Sequence, residues 1–178
     1  MPVIRPATAA DAPAIENLIL SRSAWLEERG LPSWRQSAAD LAAQAENSDG
    51  SMYVLEDGRG RIAGCTTVQE HTPPWGWSDA ERREPAYYLY STVTDPAFRE
   101  HRPGTLIALW ATDKAAGDGK AWTRRGCMFP GLVAYYETQG FVLRHTVQRT
   151  RNRVYLMERR AEPVPGLGGM LAAPWDSP

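Results

Sequence analysis

The amino-acid sequence predicts an α/β fold: a mixed, mostly antiparallel sheet of about seven strands flanked by helices. Three observations predict it. Runs of β-prone residues outnumber the helical ones, and their order is strand, helix, helix, three-strand meander, helix, strand, helix and two-strand hairpin. Forty-three per cent hydrophobic and 23% charged residues is a globular balance, and 178 residues fit one domain of ordinary size. The expected organisation is a module over residues 1–160 followed by a Pro/Gly-rich tail over 161–178.

Val3 to Pro6 reads as the first strand. Thr8 and Asp11 follow in capping-box-like spacing, ahead of Ile15, Leu18, Ile19, Trp25 and Leu26. That pattern is an amphipathic helix ending near Gly30. An Ala-rich stretch with Leu41, from Ser37 to Ala45, predicts a second helix. Met52–Glu56 and Arg61–Gln69 are strands joined by Asp57-Gly58-Arg59-Gly60, whose Asp-Gly step suits a tight hairpin. His71 to Pro85, with Pro73, Pro74, Trp75, Gly76 and Trp77, is expected to be a long loop carrying half-buried aromatics.

Ala86 to Thr94 alternates Tyr88, Tyr90 and Thr92 against Tyr87, Leu89 and Val93, a strand stopped by Asp95-Pro96. Gly104 to Ala116 is helical, with Gly117-Asp118-Gly119 as its stop. A strand from Ala121 to Met128, a short helix from Pro130 to Thr138 and a hairpin of Phe141–Arg149 with Arg153–Arg159 complete the module. Beyond it, Pro163, Pro165, Gly166, Gly168, Gly169 and Pro174 cannot hold a regular ladder. The tail is expected to be a flexible end or a strap across the second copy of a homodimer.

Composition excludes several classes of function. Twenty basic and 21 acidic side chains create no long-range field for nucleic acid or anionic lipid. Met1 to Ala10 lacks a secretory pattern, and no run of about 18 apolar residues suggests a membrane span. A cytoplasmic protein is expected. Cys65 and Cys127 lie in apolar stretches and read as buried thiols, and His71, His101 and His145 show no metal-ligand spacing.

Chemistry concentrates in Thr92-Val93-Thr94-Asp95-Pro96-Ala97-Phe98-Arg99-Glu100-His101-Arg102-Pro103-Gly104-Thr105, which joins a strand to a helix. N–H groups at such a helix start lack intrahelical partners and meet the positive end of the macrodipole, a seat for a diphosphate. Val93, Thr94, Arg99, His101, Arg102, Gly104 and Thr105 are the candidate ligand-binding residues. A second segment, Tyr136-Glu137-Thr138-Gln139-Gly140-Phe141, ends the later short helix.

Together these segments resemble the GNAT superfamily of acyl-CoA N-acetyltransferases. Its members carry a valine and a proline at the end of the fourth strand, here Val93 and Pro96. An Arg or Gln followed by glycines at fixed offsets comes next, here Arg99 and Gly104. A Tyr four residues before a Gly-Phe pair comes last, here Tyr136, Gly140 and Phe141. Arg102 stands where the family has its middle glycine, Glu100 where a further glycine is common, and Phe129-Pro130 where it has an Asn. Arg102 must therefore adopt glycine-like dihedrals or displace the phosphate, and Pro103 offers no N–H.

The resemblance implies direct attack of an amine on the thioester of acetyl-CoA, in a ternary complex where proximity carries much of the catalysis. The acceptor is a small-molecule or peptide amine, and no metal is implied. The family role of Tyr136 is general acid toward the departing thiolate. Because a phenol is ordinarily less acidic than a thiol, a hydrogen bond to the thiolate is expected more than full protonation. Glu70 is the preferred base, with His71 and Glu84 as alternatives. Trp34, Trp75, Trp77 and Tyr90 are expected to shape the acceptor side, where ring faces attract a cationic amine. Two other readings stay open: a CoA-binding sensor or scaffold without turnover, and a fold relative that serves only to dimerise.

Overall fold

The computed structural model describes residues 1–47, 49–173 and 175. Seven strands follow the order β1-β2-β3-β4-β5-β7-β6 in one mixed sheet. They are β1 (Val3–Pro6), β2 (Met52–Glu56), β3 (Ile62–Gln69), β4 (Ala86–Thr94), β5 (Trp122–Cys127), β6 (Val142–Arg149) and β7 (Asn152–Arg160). The helices are α1 (Ala12–Glu27), α2 (Ala38–Ala42), α3 (Asp79–Arg83), α4 (Pro103–Gly117), α5 (Pro130–Glu137) and α6 (Leu167–Ala172). The chain forms two compact units, each discontinuous in sequence, and the expected 1–160 module contributes to both.

The first unit comprises Met1–Thr67, Ser91–Ile107 and the chain from Gly166. β2 pairs antiparallel with β1 and with β3, the latter through the hairpin that Asp57-Gly58 predicts. Ile15, Leu18 and Ile19 recur at helical spacing on α1 and bury against Ala38 and Ala42 of α2 and Met52, Val54, Cys65 and Val93 of the strands. A second cluster joins Leu55, Ala63, Phe98, Leu106 and Ile107, with Leu171 and Trp175 packed against it. The tail that composition predicts to be flexible thus carries α6, with Leu167 buried. Its apolar Leu167, Leu171 and Trp175 outweigh its glycines once a face is available to cover. Helix two is shorter than expected, α2 being flanked by 3₁₀ turns at Arg35–Ser37 and Ala43–Glu46.

The second unit comprises Val68–Tyr90 and Ala108–Pro165. β4 and β5 pair in parallel from Ala86↔Trp122 to Leu89↔Arg125, and β7 pairs antiparallel with both β5 and β6. The stretch expected to be loop from His71 to Pro85 contains α3, started by a full capping box. Ser78 Oγ accepts from the Glu81 N–H at 3.1 Å, and Glu81 Oε1 accepts from the Ser78 N–H at 2.8 Å. Its five residues are too few to show a helical period, so only the Ser-x-x-Glu spacing could have revealed it.

Candidate functional site

The end of β4, from Ser91, and the turn after it lie in the first unit and carry the candidate ligand-binding residues. Ser91 takes φ 50° in the middle of β4, a left-handed residue of the kind that bends a strand at a bulge. The Arg22 guanidinium of α1 donates to the carbonyl of Thr94 at 2.8 Å and to its hydroxyl at 2.9 Å. Asp95 then caps a 3₁₀ turn over Pro96–His101, its side chain accepting from the Ala97 N–H at 2.9 Å. Val93 and Phe98 are buried, whereas Arg99 is exposed and lies 3.5 Å from the exposed Glu100, a contact of little energetic weight.

Arg102 stands at φ 52°, ψ 54°, the left-handed conformation a glycine would take at no cost. For an L-residue that conformation costs roughly 1–2 kcal/mol, so the surrounding turn enforces it. The amides are fewer than the sequence predicts. The Arg102 N–H donates to the Arg99 carbonyl at 3.0 Å, and the Thr105 and Leu106 N–H groups both donate to the Arg102 carbonyl. With Pro103 lacking a donor, Gly104 supplies the N–H at the mouth of α4 that takes no partner among the described residues. The His101 ring stacks on Trp175 with centroids 4.6 Å apart and planes 6° from parallel, and Phe98 lies 5.6 Å from the same indole. Trp175 therefore packs on the loop.

In the second unit, Tyr136 lies on the last turn of α5, half-buried beside Phe141 at 6.2 Å and Tyr135 at 5.9 Å. The Arg125 guanidinium sits 3.8 Å above the centre of its ring. Arg125 is 3% exposed, makes no ion pair among the described residues, and its Nε has no acceptor. Nothing in the sequence marks this side chain, because an arginine in a strand ordinarily faces solvent.

Trp75, Trp77 and Tyr90 do come together, with Tyr88, Val154 and Leu156, in one cluster of the second unit. Their ring faces are already engaged: Arg149 lies 4.1 Å over Trp75, and Arg124 lies 4.8 Å over Trp77. Trp77, 4% exposed, is a core residue here, while Trp34 is an exposed residue of the first unit. Glu70 is exposed and its carboxylate lies 3.3 Å from the Lys120 ammonium. Glu84 is held by Arg124 and by the Trp122 indole N–H, and His71 is exposed. Burial pushes the Glu81 carboxyl up, but the Ser78 N–H, the His145 ring at 2.9 Å and the Ser78 hydroxyl outweigh it and hold the group below its ordinary range. Among the described residues no helix is long and apolar enough to cross a membrane, and no group of three or more His, Cys, Asp or Glu could hold a metal ion.

The arrangement of seven strands with helices on this order is an acyltransferase fold. No protein-family model and no curated protein sequence matches the chain. Solved structures do. A GNAT-family acetyltransferase from Listeria monocytogenes superposes with a TM-score of 0.68 at 19% identity, over 89% of this chain and 94% of that one. The ribosomal-protein-S18-alanine N-acetyltransferase of Escherichia coli gives 0.62 at 15% identity, over 92% and 96%. A spermidine N-acetyltransferase mutant from Vibrio cholerae gives 0.61 at 16%, over 90% and 94%. The chain has the fold of the GNAT acetyltransferases.

Proposed function

We propose that this chain is an N-acetyltransferase that moves an acetyl group from acetyl-CoA to a primary amine. The observation that carries the reading is the turn into α4, where Arg102 holds the left-handed conformation of a glycine and leaves the Gly104 N–H at the helix mouth. Arg99 and Arg102 would supply charge-assisted bonds to a diphosphate there. Side-chain charge then does more of the binding than in a glycine-rich loop, so affinity for CoA should fall more steeply with salt.

Tyr136 is the group we assign to the leaving sulfur. The neutral amine nitrogen forms the C–N bond, the C–S bond breaks with its electron pair on sulfur, the Tyr136 hydroxyl donates to that sulfur, and the proton lost by the nitrogen passes to solvent water. Neighbours of the same fold act, by name, on a protein alanine and on spermidine, so the fold leaves the acceptor open between a peptide and a small amine. A second reading, a CoA-binding module without turnover, is favoured by one feature: Glu70 and Glu84 are both engaged by cationic partners and neither stands ready as a base.

Titration of acetyl-CoA in a calorimeter, followed by thiol release with a panel of amines, tests the reading. Heat with turnover supports the enzyme, heat without turnover the sensor, and no heat removes both. Tyr136→Phe should lower turnover by about a hundredfold, within the range of positioned proton donors, with CoA affinity nearly unchanged. Unchanged turnover would take Tyr136 out of the mechanism.

A further inference from the structure

Arg125 is a buried cation with no anionic partner among the described residues. It points from β5 into a cluster of Ala108, Cys127, Phe141 and Met157, with Leu132, Val133, Tyr136 and Tyr155 packed against them. Its guanidinium rests on two ring faces, 3.8 Å from the centre of Tyr136 and 5.6 Å from that of Phe141. No carboxylate among the described residues pairs with it, and its Nε has no acceptor. Taking a charge out of water is unfavourable unless partners replace the lost hydration, and ring quadrupoles replace only part of it. An arrangement that costs stability is found where a function holds it in place.

We infer that Arg125 tunes and orients Tyr136 as a proton-donating group for the departing sulfur. The inference rests on the acetyltransferase reading and adds a residue to it. A cation against the face of the phenol draws electron density from the ring, which strengthens the O–H as a donor to an anion. It also fixes the ring plane, and hence the direction of the hydroxyl. Arg125 is thus a positioning residue, acting through Tyr136. Its charge favours the state in which the sulfur carries the electron pair released from the broken C–S bond, and no further reactant is required.

The test uses Arg125→Met and Arg125→Lys in the full chain, with acetyl thioesters whose leaving thiols differ in basicity. Arg125→Met should lower turnover by roughly ten- to a hundredfold, at or below the lower end of what a positioned proton donor contributes. The loss should grow as the leaving thiol becomes more basic, and Arg125→Lys should recover part of it. In a Tyr136→Phe background the same substitution should have little further effect. The melting temperature of Arg125→Met should equal or exceed that of the wild type, because a desolvated charge has been removed. A loss uniform across the thioesters, a loss that persists without the Tyr136 hydroxyl, or a sharply lowered melting temperature would overturn the role of Arg125 alone. A wild-type protein that releases no thiol with any amine and gives no heat with CoA would overturn the acetyltransferase reading, and this inference with it.

Discussion

Arg124 and Arg125 are neighbours on β5, both buried, and they face opposite sides of the sheet because successive strand residues do. Arg124 is surrounded by acceptors. Its Nε donates to Glu158 at 2.9 Å, Nη2 to Glu84 at 2.9 Å, and Nη1 to Thr72 at 3.0 Å and to the Glu81 carbonyl at 2.7 Å. Arg125 has aromatic faces and no anionic partner among the described residues. Burial and residue type are the same, so the difference lies in what completes the charge. A satisfied buried cation ties β5, β7 and the α3 segment together, whereas an unsatisfied one has a place only if something else requires it.

The strongest way to break the comparison is to treat both arginines alike. Arg124→Met leaves Glu158 desolvated, with the half-exposed Arg144 at 3.1 Å as its one remaining cationic partner among the described residues. Breaking a buried pair from one side costs about 3–5 kcal/mol. Urea unfolding at neutral pH should show a loss near the lower end of that range, since Arg144 persists. Replacing Glu158 by Met in the same chain should recover most of it, because the orphaned carboxylate has gone. If Arg124→Met and Arg125→Met destabilised the fold equally, the division between a structural and a functional arginine would fail.

A smaller effect comes from α3, whose Glu81 carbonyl receives Arg124. The Glu81 carboxyl is held below its ordinary value of 4.5, burial opposing and the hydrogen bonds from Ser78 and His145 prevailing. A depressed carboxylate contributes stability that is present above the unfolded pKa and is lost as pH falls through the folded one. Thermal melts of the wild type should therefore decline as pH drops below about 4.5, and Glu81→Gln should flatten that acid limb. Near neutral pH the same variant should cost about 1 kcal/mol, the scale of a helix cap. An acid limb unchanged in Glu81→Gln would mean that other carboxylates govern it.

Much of the scaffold was legible in the residues, and the reasons are local. Alternation in Ala86–Thr94, the Asp-Gly turn at 57–58 and the helical spacing of Ile15, Leu18 and Ile19 each report one element through its own sequence. What escaped depends on partners distant in the chain. Arg125 looks like any strand arginine until Tyr136 and Phe141 come to lie against it. Trp77 reads as a binding aromatic until Val154 and Leu156 bury it, and the tail reads as loose until Leu55 and Phe98 offer α6 a face. At the loop, a left-handed residue 102 was legible as one of two alternatives, but the diversion of the Thr105 N–H to the Arg102 carbonyl was not, because it follows from that conformation.

The two cysteines give the finest probe of the same difference. Burial pushes the Cys65 thiol, in the first unit, up to about 12, with no cation among the causes of its shift. Cys127 is two residues from Arg125 in the second unit. Burial raises its thiol as well, but a backbone hydrogen bond from Phe129 and the charge of Arg125 pull against that rise. Neutralising residue 125 should therefore move Cys127 further up and leave Cys65 where it is. Carbon-13 shifts of cysteine-labelled protein, followed through an alkaline titration, would separate the two thiols. An upward displacement for Cys127 alone in Arg125→Met would show that the positive field of Arg125 reaches the α5 side of β5 undiminished by any counter-ion. Equal titration in wild type and variant would mean that an anion already offsets it, and Arg125 would then belong with Arg124 among the structural pairs.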